Sequence, residues 1–216
     1  MYHFFFNLPK NYQNAGTVFL PVKSSTGVPA IISCYGWNKI HWPKRVDEEM
    51  LDMAVKKNNM GFVTMELTGQ SDDDSASACD RWTRNLSEMV TWVRDKRYFN
   101  KAKVGLFAFG LPAVAALRFA VGESGIAFVV ATVIPESLDI DKIITSAVRP
   151  TLILQGTTDK ITIQSKPQMA EEIVRCDNFD TKSTILTFKG GDHYLYNIAR
   201  QASDEVVKWL RSNDLT

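Results

Sequence analysis

Charge of one sign is what this chain most plainly lacks. Its 25 Lys and Arg residues are offset by 24 Asp and Glu, a net charge of +1. A chain so balanced has no long-range attraction for nucleic acid or an anionic membrane surface. The basic residues Arg94, Lys96, Arg97, Lys101 and Lys103 are interrupted by Asp95 and aromatics and read as a solvated helix end. Cysteine is scarce too. Cys34, Cys79 and Cys176 stand far apart, which excludes a disulfide framework and a metal-ligand spacing. The expectation is a reducing, cytoplasmic setting with no metal and no cofactor. No apolar run reaches membrane-spanning length. The opening Met1–Phe6 is apolar, but too short for a signal core and without basic residues before it. There is no internal repeat and no low-complexity tract.

What is present suits a soluble globular chain. Hydrophobic residues make up 45% and charged residues 23% of 216 positions, enough for one domain over 1–216 with a sizeable core. Short strands are expected at 2–6 and 17–22, with turn residues Asn11, Asn14 and Gly16 between them. Residues 28–34 form a continuous apolar strand, ended by Tyr35-Gly36-Trp37-Asn38. Val46, Met50, Met53 and Ala54 recur at helical spacing over 45–58. A strand at 61–67 precedes a polar loop, 69–77, with three consecutive aspartates. Trp82, Leu86, Met89, Val90 and Val93 share one face of a long helix over 80–97.

The second half continues the alternation. Strand 104–109 leads into an alanine-rich helix over 111–121, followed by strands at 125–134 and 151–155. A helix over 164–176, a strand over 183–188 and a final helix over 194–212 complete the chain. Ile198, Ala202, Val206, Trp209 and Leu210 mark the buried face of that final helix. Strands alternating with helices, apolar on both faces in the middle of the chain, predict a mostly parallel sheet covered on both sides. In such sheets the ligand site lies beyond the carboxyl ends of the strands. Trp37, Gly110, Asp159 and His193 all fall just after predicted strands, at that one edge.

The segment Ala108-Phe109-Gly110-Leu111-Pro112, a strand turning sharply into a small-residue helix, has the context of a nucleophile elbow, G-x-S-x-G. Glu66-Leu67-Thr68-Gly69-Gln70-Ser71-Asp72 resembles a D-x-x-G-x-G-x-S loop. The stretch 151–161, with Gly156 and Asp159, resembles P-x-L-x-x-x-G-x-x-D, and Gly191-Asp192-His193 resembles a G-x-x-H or G-D-H ending. Over nearly its whole length the chain therefore resembles the α/β-hydrolase superfamily. The likeness is nearest to small bacterial esterases and acyl-aminopeptidase-like hydrolases, including the cinnamoyl and feruloyl esterase group.

That resemblance implies an α/β-hydrolase fold: a mostly parallel eight-stranded sheet, helices on both faces and no large lid. It implies His193 as general base and Asp159 as the acid that orients it, in the chain order elbow, acid, histidine. It implies oxyanion-hole amides at Leu111 and, by likeness to an H-G-F turn, at Trp37. Tyr35 departs from the histidine of that turn. Taken without the resemblance, Asp159 and His193 are loop residues capping the helices that follow them. Asp192 is the weaker acid candidate, because adjacent side chains point apart.

At the nucleophile position stands Gly110, so the triad lacks its serine. Ala108 and Pro112, in place of the two elbow glycines, favour natural divergence over a single deliberate replacement. No other nucleophile is indicated: Cys34 reads as buried packing, and nothing aims Ser71, Ser75, Ser77 or Ser137 at His193. The short connection 134–150 has room for one small helix. It predicts an open site rimmed by Trp37, Ile40 and Trp42, lined for an acyl or aryl group.

Three functions fit. The first is a carboxylesterase-type hydrolase that, without its serine, is inactive or weakly active. The second is a non-catalytic relative binding a small ester-like or aromatic ligand, or a protein partner. The third is a purely structural interaction protein. The expected partner is a small ester or acyl ligand, and the expected state is a monomer or homodimer.

Overall fold

The computed structural model describes residues 1–7, 15–22, 27–36, 44–67, 75–121, 125–132, 149–159 and 184–216. Eight strands form one sheet: β1 (Tyr2–Asn7), β2 (Ala15–Leu20), β3 (Val28–Gly36), β4 (Gly61–Leu67), β5 (Phe99–Phe109), β6 (Phe128–Thr132), β7 (Thr151–Gly156) and β8 (Thr184–Phe188). Their order is β1-β2-β4-β3-β5-β6-β7-β8. β2 pairs antiparallel with β1 and β4, and every later pairing is parallel. The register keeps the carboxyl ends level: Cys34 lies beside Ala108, Phe109 beside Thr132, and Gly156 beside Phe188. The expected mostly parallel, eight-stranded sheet is the one observed.

Period-2 alternation divides the core between the two faces. Ala30, Ile32, Val129 and Ala131 pack under α2 (Ser75–Asp95) and α3 (Leu111–Val121), with the fully buried Trp82. Ile31, Phe62, Phe128 and Val130 pack under α1 (Lys44–Leu51) and α4 (Ala199–Ser212). Both faces of the central strands are therefore dry, as their continuous apolar sequences require.

Element ends depart from the sequence expectations for local reasons. β3 runs on to Gly36 because Tyr35 pairs with Glu66 of β4. α2 begins at Ser75, inside the expected polar loop and more than a turn before the expected start, and buries Ala78 and Cys79. The first helix changes pitch at Asp52 and continues as a π-helix to Lys57. The final helix begins at Ala199, not at 194, because Leu195 has φ +56 and a 3₁₀ turn, Tyr196–Ile198, intervenes. A left-handed residue cannot continue an α-helix. Ile198 is consequently half-buried rather than part of the helix face. The helix expected over 164–176 and the connection 134–148 lie outside the described residues, as does Cys176.

One buried polar contact ties sheet to helix. The Ser33 hydroxyl on β3 donates to the Asp47 carboxyl on α1, and both residues are buried. Burial pushes the Asp47 carboxyl up to about 7; the Ser33 bond works against that shift, and nearby Glu48 adds to it. Because the folded value is raised, the folded state holds the extra proton. Its contribution to stability is full below about 4 and is lost as pH rises through about 7. Asp47→Asn is therefore expected to flatten the stability profile between about pH 4 and pH 7, checked by urea unfolding at several pH values. An unchanged slope would place Asp47 in water.

Candidate active site

The site is built where two loops touch beyond β7 and β8. Gly156 closes β7 and Gly191 follows β8, and their backbones lie against each other. A methyl at Gly156 would overlap the Gly191 carbonyl oxygen and stand 2.6 Å from that of Asp192. Only a residue without Cβ permits this approach. Across it, the Thr158 amide donates to the Gly191 carbonyl at 3.0 Å and the Thr158 hydroxyl to the same oxygen at 2.7 Å. In the other direction the Gly190 amide donates to the Thr157 hydroxyl at 2.8 Å.

This zipper brings Asp159 and His193 together. Asp159 Oδ1 lies 2.9 Å from His193 Nδ1. The carboxylate is only 2% exposed, whereas the imidazole is 19% exposed. Gln155 Nε2 donates to the other carboxylate oxygen, Oδ2, at 3.2 Å. As a carboxylate, Asp159 can only accept, so Nδ1 carries the proton and Nε2 keeps its lone pair. That is the tautomer a general base requires. The Tyr194 ring packs edge-on against the imidazole with centroids 4.6 Å apart. Asp192 serves the turn instead: its Oδ1 accepts the Tyr196 amide at 2.8 Å.

Gly110 sits between β5 and α3 with φ +65, the left-handed conformation of a sharp strand-to-helix turn. Its amide donates to the Thr132 carbonyl at 3.0 Å and its carbonyl accepts the Ala113 amide at 2.9 Å. Leu111 is the first residue of α3, so its amide belongs to the helix N-terminus, whose N–H groups lack intrahelical acceptors. Pro112 occupies the first turn, where its missing N–H is harmless. Trp37 follows the end of β3 directly but lies outside the described residues, as do Ile40, Trp42, Ser71 and Ser137. Ser75 and Ser77 fall in the first turn of α2.

Cys34 is fully buried, its Sγ 3.7 Å from the Ile32 carbonyl. Burial, reinforced by Asp47, pushes its thiol far above the ordinary range, so no thiolate forms there. Tyr35 belongs to the strand; burial, then Glu66 and Asp47, push its phenol up to about 12. Among the described residues no group of three His, Cys, Asp or Glu could hold a metal, and no helix is long and apolar enough to cross a membrane. Sequence reasoning missed Gln155, Thr157 and Thr158. Their roles arise from the contact between loops about 30 residues apart, for which a local pattern carries no signal.

No family model matches the chain, and no curated protein matches it in sequence. Solved structures match it in fold. An esterase from Pyrobaculum calidifontis superposes with a TM-score of 0.70 at 12% identity, covering 100% of this chain and 86% of that one. A serine hydrolase without a lid from Xanthomonas campestris gives 0.71 at 16% identity, covering 97% and 94%. An α/β serine hydrolase homologue from Coxiella burnetii gives 0.69 at 15%, covering 96% of each. The chain thus has the α/β-hydrolase fold, in its form without a large lid.

Gly156→Ala should force the two loops apart. It is expected to lower stability by about 1–3 kcal/mol, the cost of overpacking a close contact. Chemical unfolding measures the loss, and a variant as stable as the parent would mean the loops do not touch.

Proposed function

We propose that this chain carries a carboxylesterase-type site, related to the small bacterial esterases and the cinnamoyl and feruloyl group, from which the nucleophile is missing. The single observation behind this reading is the Asp159–His193 pair at 2.9 Å, on the same sheet edge as a left-handed glycine elbow. His193 is the base, Asp159 orients it, and the Leu111 and Trp37 amides form the oxyanion hole. Gly110 stands where serine would attack.

Without a side chain at Gly110, such a site would act through water. His193 Nε2 would take a proton from water while the water oxygen bonds to the acyl carbon. The carbonyl electrons move onto oxygen, which the two amides stabilise. On collapse the alkoxide leaves and takes the proton back from the imidazolium, giving acid and alcohol. Catalysis of this kind is weak: enzymes stripped of a triad member keep roughly 10³–10⁴-fold over water, from binding and the oxyanion hole. The molecule is therefore inactive or very weakly active on small esters. Gly110 itself favours a second reading, a non-catalytic relative that holds a small ester-like or aromatic ligand in the same pocket. Such binding would raise the melting temperature, since a ligand of the native state stabilises it.

Gly110→Ser tests the first reading. A side chain at φ +65 costs about 1–3 kcal/mol, so the variant is expected to fold with reduced stability. It should label with a fluorophosphonate and turn over p-nitrophenyl acetate and butyrate, while the parent does neither at a comparable rate. Adding Asp159→Asn should then cut turnover by about 10⁴-fold, the loss seen when a triad acid is neutralised with its geometry intact. A folded Gly110→Ser that neither labels nor turns over would sink the hydrolase reading.

A further inference from the structure

The run Leu152, Ile153, Leu154 of β7 is apolar and buried, yet the next residue is Gln155, itself only 7% exposed. Burying an amide costs free energy unless it is hydrogen-bonded, so packing alone would be served better by another apolar residue. Gln155 Nε2 donates to Asp159 Oδ2 at 3.2 Å and to the Gly156 carbonyl at 3.3 Å. The same carbonyl accepts the Asp159 amide at 3.3 Å. The Gly156 peptide therefore anchors the acid twice, through the Asp159 main chain and through the Gln155 carboxamide.

This bridge admits one orientation. The Gly156 carbonyl and the Asp159 carboxylate are both acceptors, and the nitrogen of a carboxamide carries two hydrogens while its oxygen carries none. Turned over, the Gln155 amide would set its own oxygen against both and lose both bonds. Its end is thus fixed by two oxygens, and Asp159 Oδ2 is fixed by it. The neutrality of the donor matters as well. A lysine or arginine in this place would pair with Asp159 and offset the charge that acts on the imidazole, and a second carboxylate would repel it. An amide donates without a net charge. It holds Oδ2 in place while Oδ1, 2.9 Å from His193 Nδ1, keeps its full pull on the Nδ1 proton.

We infer that Gln155 is a positioning residue of the acid–base pair: its carboxamide fixes the Asp159 carboxylate so that the His193 imidazole keeps its proton on Nδ1 and its lone pair on Nε2. The consequence for turnover rests on the site reading given above; the tautomer itself does not.

Nitrogen NMR of the isotope-labelled full chain tests it, at pH values where the imidazole is neutral. The His193 ring signals are those that vanish in His193→Gln. The parent should show the Nδ1–H tautomer. Gln155→Met keeps the side-chain length and removes the donors, and it should populate the Nε2–H tautomer as well. Gln155→Glu separates positioning from packing. Two neighbouring carboxyl groups share one proton. While they do, the introduced carboxyl donates to Asp159 Oδ2, and the parent tautomer should return. Once that proton leaves at higher pH the tautomer should be lost, although the parent keeps it. In Gly110→Ser, adding Gln155→Met should lower kcat by about ten- to a hundred-fold at nearly constant KM, the worth of one hydrogen bond to a charged group. A pure Nδ1–H tautomer in Gln155→Met overturns the inference, as does Gly110→Ser turnover that Gln155→Met leaves unchanged. If the methionine variant does not fold, Gln155→Glu decides, and a tautomer indifferent to pH there overturns the inference. A tautomer change in Gln155→Met with no turnover from Gly110→Ser sinks the hydrolase reading and leaves the role of Gln155 standing.

Discussion

The buried carboxylate of Asp159 exists because Gly156 and Gly191 let two backbone loops press together. Taking a carboxylate out of water costs several kcal/mol unless it is paired and hydrogen-bonded. Asp159 meets that cost with His193 on one oxygen and Gln155 on the other. Gln155 comes from β7 itself, and His193 is brought in by the parallel pairing of β7 and β8, which releases the two loops side by side at Gly156 and Phe188. The threonine hydroxyls and glycine carbonyls then lock them. A side chain at Gly156 would push the two loops apart, and the acid from the base with them.

The molecule holds a second buried acid under different terms. Asp47 has one neutral hydroxyl partner, Ser33, and no cation beside it in that contact. Burial therefore wins, and its carboxyl is pushed up to about 7. Asp159 has an imidazole and an amide as donors. Asp47 joins α1 to β3 as a structural link, whereas Asp159 is paired with an imidazole. The same logic makes Cys34 inert, since an apolar strand interior keeps its thiol protonated.

At the elbow, geometry and chemistry separate. A sharp strand-to-helix turn needs a left-handed residue, and glycine adopts that conformation without strain. Serine there would be strained. The turn, the helix N-terminus and the Asp159–His193 pair are all present, and glycine stands at the turn. What remains is a left-handed elbow position without a side chain, at the N-terminus of α3.

Much of this was legible in the residues. Apolar runs such as 128–132 and 151–154 announce strands buried on both faces, and the alternation with helices leads to a parallel sheet. Asp159, His193 and Gly110 could be placed at one edge because each follows a strand. Element ends were less legible, because pairing partners set them: Glu66 extends β3 to Gly36, and Leu195 in the left-handed region delays α4. Gln155, Thr157 and Thr158 were invisible as site residues. By itself the sequence determined the fold class and the types of residue at the sheet edge, since burial and periodicity are properties of local pattern. Only the tertiary structure decided which oxygen meets which nitrogen. Those contacts join segments far apart in the chain, and their ångström-scale geometry is set by how the strands register and how closely two glycines approach.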